Sequence, residues 1–184
     1  GIVTHSHGPG GEHAHGETAF TTWLDFQMAV LHAEAIAESL ARKLPQHQKE
    51  LGQNLASLRR DLMALDDAVR DISSRNPGQP LIGSHPVYDY LARGYALNMK
   101  NVHWEPDELP TDRHWMELQE ILNQHPAKWM VWEGEPIQNS VDKLRTHGVG
   151  SLTFDPCANV PDIGDFLTVM RQNIDNLRTA YPLR

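Results

Sequence analysis

Cysteine is almost missing from this chain: Cys157 stands alone, so no internal disulfide forms and the redox compartment is left open. Positive charge is sparse as well. Lys and Arg number 16 against 24 Asp and Glu, for a formal net charge of -8, and no basic run is long enough to track a phosphate backbone. Nucleic acid is thereby excluded as a partner. No apolar stretch approaches the roughly 20 residues of a membrane span. Catalytic signatures are lacking too: there is no phosphate-cradling Gly loop, no Gly-x-Ser-x-Gly elbow, no His-Glu-x-x-His, and Cys157 has no histidine identifiable as its base. The chain therefore reads as something other than an enzyme. Its 184 residues fit one domain, or one domain with an attached helical piece. It opens Gly1-Ile2-Val3 rather than on Met, which implies an upstream portion processed or cut away.

What is present falls into three stretches. Residues 1–18 are rich in Gly and His with no apolar periodicity, the composition of a flexible tail. Residues 19–77 carry helical spacing. Phe26, Val30, Ala33, Ile36, Ala37 and Leu40 recur at three- and four-residue steps up to Leu44, before Pro45. Pro45 suits the first turn of a second helix, in which Leu51, Leu55, Leu58, Leu62, Leu65 and Val69 repeat as far as the breaker Asn76-Pro77-Gly78. At 1.5 Å rise per residue that helix spans roughly 40–45 Å, a strut longer than a compact domain needs.

From residue 78 to 184 the rhythm becomes strand then helix, four times over. Leu81-Ile82 leads to 86–92, 96–104 to 112–124, 129–132 to 137–146, and 151–154 to 162–181. This spacing predicts an α/β fold with a four-stranded, mainly parallel sheet flanked by helices on both faces. Asp112 and Asp162 read as N-caps, and Gly94 and Gly148 as helix stops.

Two residues then stand out. His85, in Gly83-Ser84-His85-Pro86, and Asp155, in Phe154-Asp155-Pro156, each follow an apolar run and precede a proline, where a strand ends and the chain turns away. Strand ends form the ligand crevice of open parallel sheets, and neutral imidazole with carboxylate is an ordinary zinc or manganese pair. Either residue has a plainer reading, a backbone bond for His85 and a turn for Asp155. The tail adds His5, His7, His13 and His15 in His-Ser-His and His-Ala-His pairs, a tract that chelates divalent ions weakly. A purification tag would repeat histidine without interruption. His32, His47, His103, His114, His125 and His147 read as structural, and Glu133 and Glu135, near the crevice, as outer-shell partners of a metal or, the favoured reading, as solvated loop charges.

Taken together, residues 84–95 (Ser-His-Pro-Val-Tyr-Asp-Tyr-Leu-Ala-Arg-Gly-Tyr), Phe154-Asp155-Pro156 and residues 165–177 resemble the C-terminal half of the periplasmic zinc- and manganese-binding solute receptors of ABC importers. The resemblance runs from about Trp23 to the end. It implies that residues 46–76 are the long backbone helix joining two α/β lobes, with metal held between the lobes. It also implies metal ligands at His85 and Asp155, zinc or alternatively manganese as cargo, an importer permease as partner, and a periplasmic or extracytoplasmic location, membrane-associated through the transporter.

The departures matter as much. Trp23-Leu24-Asp25 matches a family sequence, but the Asp-Pro-His before it appears as Ala19-Phe20-Thr21, so the expected histidine is replaced by Thr21. The resemblance leaves the N-terminal lobe without a counterpart, and His13 or His15 is the expected substitute ligand. A strut helix missing one lobe would expose apolar surface and favour a homodimer. Two other functions stay open here: an adhesion or interaction module with structural metal on the same scaffold, and a metallohydrolase built on His85, Asp155 and a tail histidine.

Overall fold

A computed structural model describes residues 3–6, 12–15 and 20–183 of the chain. At the start, strands β1 (Val3–Ser6) and β2 (Glu12–His15) pair antiparallel, with His5 opposite His13. The tail was expected to lack regular structure. In β2 His13 and His15 alternate with Ala14, the period-two pattern of a strand, and the two segments form a ladder. His7 lies outside the described residues.

Helix α1 (Phe26–Lys43) follows a 3-10 turn at Thr22–Leu24 and starts where Asp25 caps it, its carboxylate accepting from the N–H groups of Gln27 and Met28. Leu44 ends it before Pro45, and a 3-10 turn (Pro45–His47) leads into α2 (Gln48–Ser74). The expected apolar stripes are real but only partly covered. Phe26, Ala29 and Val30 of α1 and Leu62, Leu65, Val69 and Ile72 of α2 are buried, whereas Ile36 is 60% exposed and Leu31 62%. The far half of this helical pair thus rests on itself, tied by the Arg59–Glu34 ion pair. At its near end Asp66 is buried and accepts from Arg70 and the Tyr95 hydroxyl.

The sheet contains β3 (Pro80–Gly83), β4 (Asn98–Asn101), β5 (Trp129–Trp132) and β6 (Gly150–Thr153) in the order β4-β3-β5-β6, every pair parallel. Helices α3 (Asp89–Gly94), α4 (Asp112–Gln124), α5 (Gln138–Thr146) and α6 (Phe166–Ala180) make the connections and close the chain. Successive strand residues point to opposite faces, and the core divides accordingly. Leu81 and Val131 join a cluster with Val69, Ile72, Ile174 and Leu177, while Ile82, Met130 and Trp132 join Trp104, Trp115, Leu118 and Leu144 on the other side. The parallel α/β fold expected from the sequence is therefore observed.

Two helix starts differ from expectation. Thr111, not Asp112, caps α4: its hydroxyl accepts from the His114 N–H, while His114 Nδ1 accepts from the Thr111 N–H. Asp165, not Asp162, caps α6 through the N–H and hydroxyl of Thr168, and these bonds hold its carboxyl below the usual range. In both places the cap is the residue whose backbone is extended immediately before the first helical turn.

Candidate metal centre

The central strand β3 ends on Gly83, and backbone pairing continues past it. The Ser84 N–H donates to the Val131 carbonyl, and the Val102 and Trp104 N–H groups donate to the carbonyls of Gly83 and Ser84. His85 is consequently held between the ends of β4 and β5, and is buried. Glu105 follows Trp104 beyond β4, and Glu133 follows Trp132 at the end of β5, its N–H donating to the Ser84 hydroxyl. Three neighbouring strand ends thus deliver one imidazole and two carboxylates to one point.

The spacing of these groups is informative. His85 Nδ1 stands 3.4 Å from Glu133 Oε1 and 3.7 Å from Glu105 Oε1, and a donor atom from each of the three lies within 4.8 Å of the others. Two ligand atoms on a tetrahedral zinc, each roughly 2.0–2.1 Å from the ion, are about 3.3–3.5 Å apart. Both carboxylate side chains are only 19% exposed. Two carboxylates this close and this sheltered repel each other, and a shared cation relieves that repulsion.

Asp155 occupies the end of β6, two strands from β3, and is not a member of this close group. Strands are spaced about 4.8 Å apart, so a residue one strand away reaches His85 more readily than a residue two strands away. The Asp155 backbone is clamped by buried Asn173, whose side chain accepts the Asp155 N–H at 2.9 Å and donates to its carbonyl at 2.6 Å. Its Oδ1 accepts from the Cys157 N–H at 2.7 Å, organising the turn. Tyr88 lies between the two regions, buried, with its hydroxyl donating to the Phe154 carbonyl. Burial, and then the charges of Glu133 and Asp155, hold the Tyr88 phenol protonated, far above its ordinary range.

Thr21 is buried and its hydroxyl donates to the Val87 carbonyl, two residues past His85, while the Trp23 indole donates to the Pro156 carbonyl. The segment where the resemblance placed a histidine therefore touches both the His-Pro and the Asp-Pro turns. Of the tail, only the backbone of His5, His13 and His15 is described. Two of the structural histidines have plain roles: His125 is buried with Nε2 2.9 Å from the Leu81 carbonyl, and His147 stacks on Trp115. His103 is exposed and sets its ring edge-on to that of His85, with centroids 5.4 Å apart.

Glu133 had read as a solvated loop charge, and Glu105 had not been singled out. Both follow strands that the sheet order places on either side of β3. Glu135 does remain exposed, accepting from the Thr153 hydroxyl.

An α/β lobe whose strand ends gather imidazole and carboxylate oxygen offers a donor set of the class that suits a divalent cation. Residues 1–180 match the family described as the periplasmic zinc-uptake complex component A, and the chain belongs to that family. It is 24% identical over 184 residues to the zinc-binding protein AdcA of Streptococcus pyogenes serotype M1, an alignment covering 95% of this chain and 35% of that protein. The chain thus spans about a third of the length of this relative. Among solved structures, the Zn(II)-bound ZnuA-like domain of Streptococcus pneumoniae AdcA superposes with a TM-score of 0.80 at 22% identity, over 94% of this chain and 66% of that one. The laminin-binding adhesin of Streptococcus agalactiae does so with a TM-score of 0.72 at 19% identity, over 88% and 62%. At these identities the two structures establish the fold.

Proposed function

We propose that this chain is the zinc-holding portion of a receptor that captures the ion outside the cytoplasm and hands it to the permease of an ABC importer. The observation that carries this reading is the convergence of His85, Glu105 and Glu133, with His85 Nδ1 3.4 Å and 3.7 Å from the two carboxylates and a donor from each within 4.8 Å of the others. The family supports the cargo, and the relatives that name a metal name zinc. We assign Asp155 a supporting role from the neighbouring strand end, and manganese a secondary place because two carboxylates also suit that harder ion. Among the described residues no helix is long and apolar enough to cross a membrane.

Thr21 is committed to the Val87 carbonyl, so a further ligand comes from elsewhere, and His5, His7, His13 and His15 of the tail are candidates by sequence. The exposed side of the helical pair, with Leu31, Ile36, Leu40 and Leu44, fits a second copy of the chain or a further lobe against it. The likeness to an adhesin is one of fold, and no adhesive role is drawn from it. A family of solute receptors also gives no support to the hydrolase reading.

The test is zinc titration against a chromophoric chelator. His85→Ala, and separately Glu105→Gln with Glu133→Gln, should weaken the first zinc equivalent by on the order of 100-fold, with only the weak tail sites left. Unchanged affinity in both would remove this site from consideration.

A further inference from the structure

We infer that Thr21 and Trp23 are positioning residues of the zinc site: the short segment that carries them straps the His85 turn to the Asp155 turn. This rests on the reading of those turns as parts of a zinc centre. Backbone pairing across the sheet reaches as far as the Ser84 carbonyl, bonded by the Trp104 N–H, and the Phe154 N–H, bonded to the Trp132 carbonyl. A sheltered carbonyl past that point takes its donor from elsewhere. The Thr21 hydroxyl donates to the Val87 carbonyl 66 residues on, and the Trp23 indole donates at 2.7 Å to the buried Pro156 carbonyl 133 residues on. Val87 is two residues past His85, and Pro156 directly follows Asp155. A third tie joins the turns without the strap, the Tyr88 hydroxyl donating to the Phe154 carbonyl at 2.9 Å.

The strap is itself held fast. Thr21 is 1% exposed, Leu24 is fully buried, and the Thr22–Leu24 turn runs straight into the Asp25 cap of α1. Trp23 packs against the core cluster that contains Tyr88 and Phe154. In the sheet β5 separates β3 from β6, so the ladder alone leaves the His85 and Asp155 turns two strand spacings of about 4.8 Å apart and free to move separately. The strap joins them from one face. Donor groups bind an ion tightly only when held within about 0.5 Å of their working geometry, so a shift of either turn reaches the metal although the Thr21 hydroxyl and the indole N–H are spent on carbonyls. Both bonds end on the turns that carry His85 and Asp155, which is where a tie that sets ligand spacing has to end.

The experiment is chelator competition for the first zinc equivalent on the full chain, far below the melting temperature, with thermal unfolding of the metal-free protein alongside. Thr21→Val removes the hydroxyl and keeps the shape; Trp23→Phe removes the indole N–H and keeps a ring. Each should weaken zinc binding by about fivefold or more, and the two together by about tenfold or more. Thr21→Ser, which keeps a hydroxyl, should restore wild-type affinity. Gln79→Ala controls for lost stability: that side chain donates to the Ala180 carbonyl at 2.7 Å beside the opposite end of β3, so its loss should lower the melting temperature and leave zinc affinity unchanged. If Thr21→Val and Trp23→Phe both keep wild-type affinity, whatever they do to stability, while His85→Ala loses it, the inference fails and the zinc reading stands. If His85→Ala also binds as wild type does, the zinc reading itself fails.

Discussion

Replacing Asn173 by Ala tests how firmly the turn carrying Asp155 is anchored. Asn173 is 2% exposed, and its amide makes two bonds to a single residue, accepting the Asp155 N–H at 2.9 Å and donating to the Asp155 carbonyl at 2.6 Å. Alanine removes both and leaves a backbone donor and acceptor without protein partners. A fully buried orphan costs about 1–3 kcal/mol. Asp155 is only partly buried, so water recovers some of this, and about 1–1.5 kcal/mol per group is the appropriate share. The sum is about 2–3 kcal/mol, and at roughly 2–4 °C per kcal/mol for a chain of this size the melting temperature should fall by about 4–12 °C. Scanning calorimetry on wild type and variant measures this directly. Gln172→Ala is the control: that side chain bonds Asn176 on the exposed surface, and its loss should stay within about 0.5 kcal/mol. A drop of less than about 1 °C for Asn173→Ala would show that the Asp155 turn holds without its clamp and refute the assignment.

Three further outcomes are expected. Gly83→Ala would place a methyl group against the Asn101 side chain and 3.0 Å from Tyr88 Cδ2, so it should destabilise by about 1–3 kcal/mol in urea titration; a neutral effect would mean that this strand end repacks freely. Asp165→Ala should lower the melting temperature at neutral pH. Because the native carboxyl is held below its ordinary value, its contribution is present above the usual carboxylate range and lost as pH falls, so the difference from wild type should shrink below about pH 4. A gap that persists unchanged in acid would contradict the cap. Zinc affinity should decline as pH is lowered through the ordinary imidazole range, since a protonated ring cannot ligate; full affinity at about pH 5 would exclude histidine ligation.

The fold was legible because its patterns are local. Apolar runs such as 129–132, punctuated by Gly and Pro, marked the strands, and the leucine spacing of residues 51–69 marked the long helix. Cap positions were harder, since Thr111 beside Asp112 and Asp165 near Asp162 offer chemically similar oxygens and only the extended backbone decides between them. The site was half legible. His85 was conspicuous before Pro86, but Glu105 and Glu133 gain their meaning only from the strand order β4-β3-β5, which puts the ends of those strands on either side of His85. No spacing in the chain encodes that order. Asp155 drew notice by the same Xaa-Pro signature as His85, although β6 lies one strand further out. The exposed half of the helical pair was expected only through the resemblance and its missing lobe, because a periodic stripe by itself reports which side is apolar and not whether anything covers it.

His85, Glu105 and Glu133 are separated by 20 and 28 residues, and each belongs to a different strand-to-helix connection. An ion held by all three would act as a removable cross-link, closing two loops of the chain and restricting the excursions by which the sheet edge opens. Such a link stabilises the native state by the whole of its preferential binding and is undone as soon as the ion leaves. Occupied and empty chains should therefore differ in the protection of backbone amides along this one edge, which would give any partner surface a local, chemical signal of whether cargo is aboard.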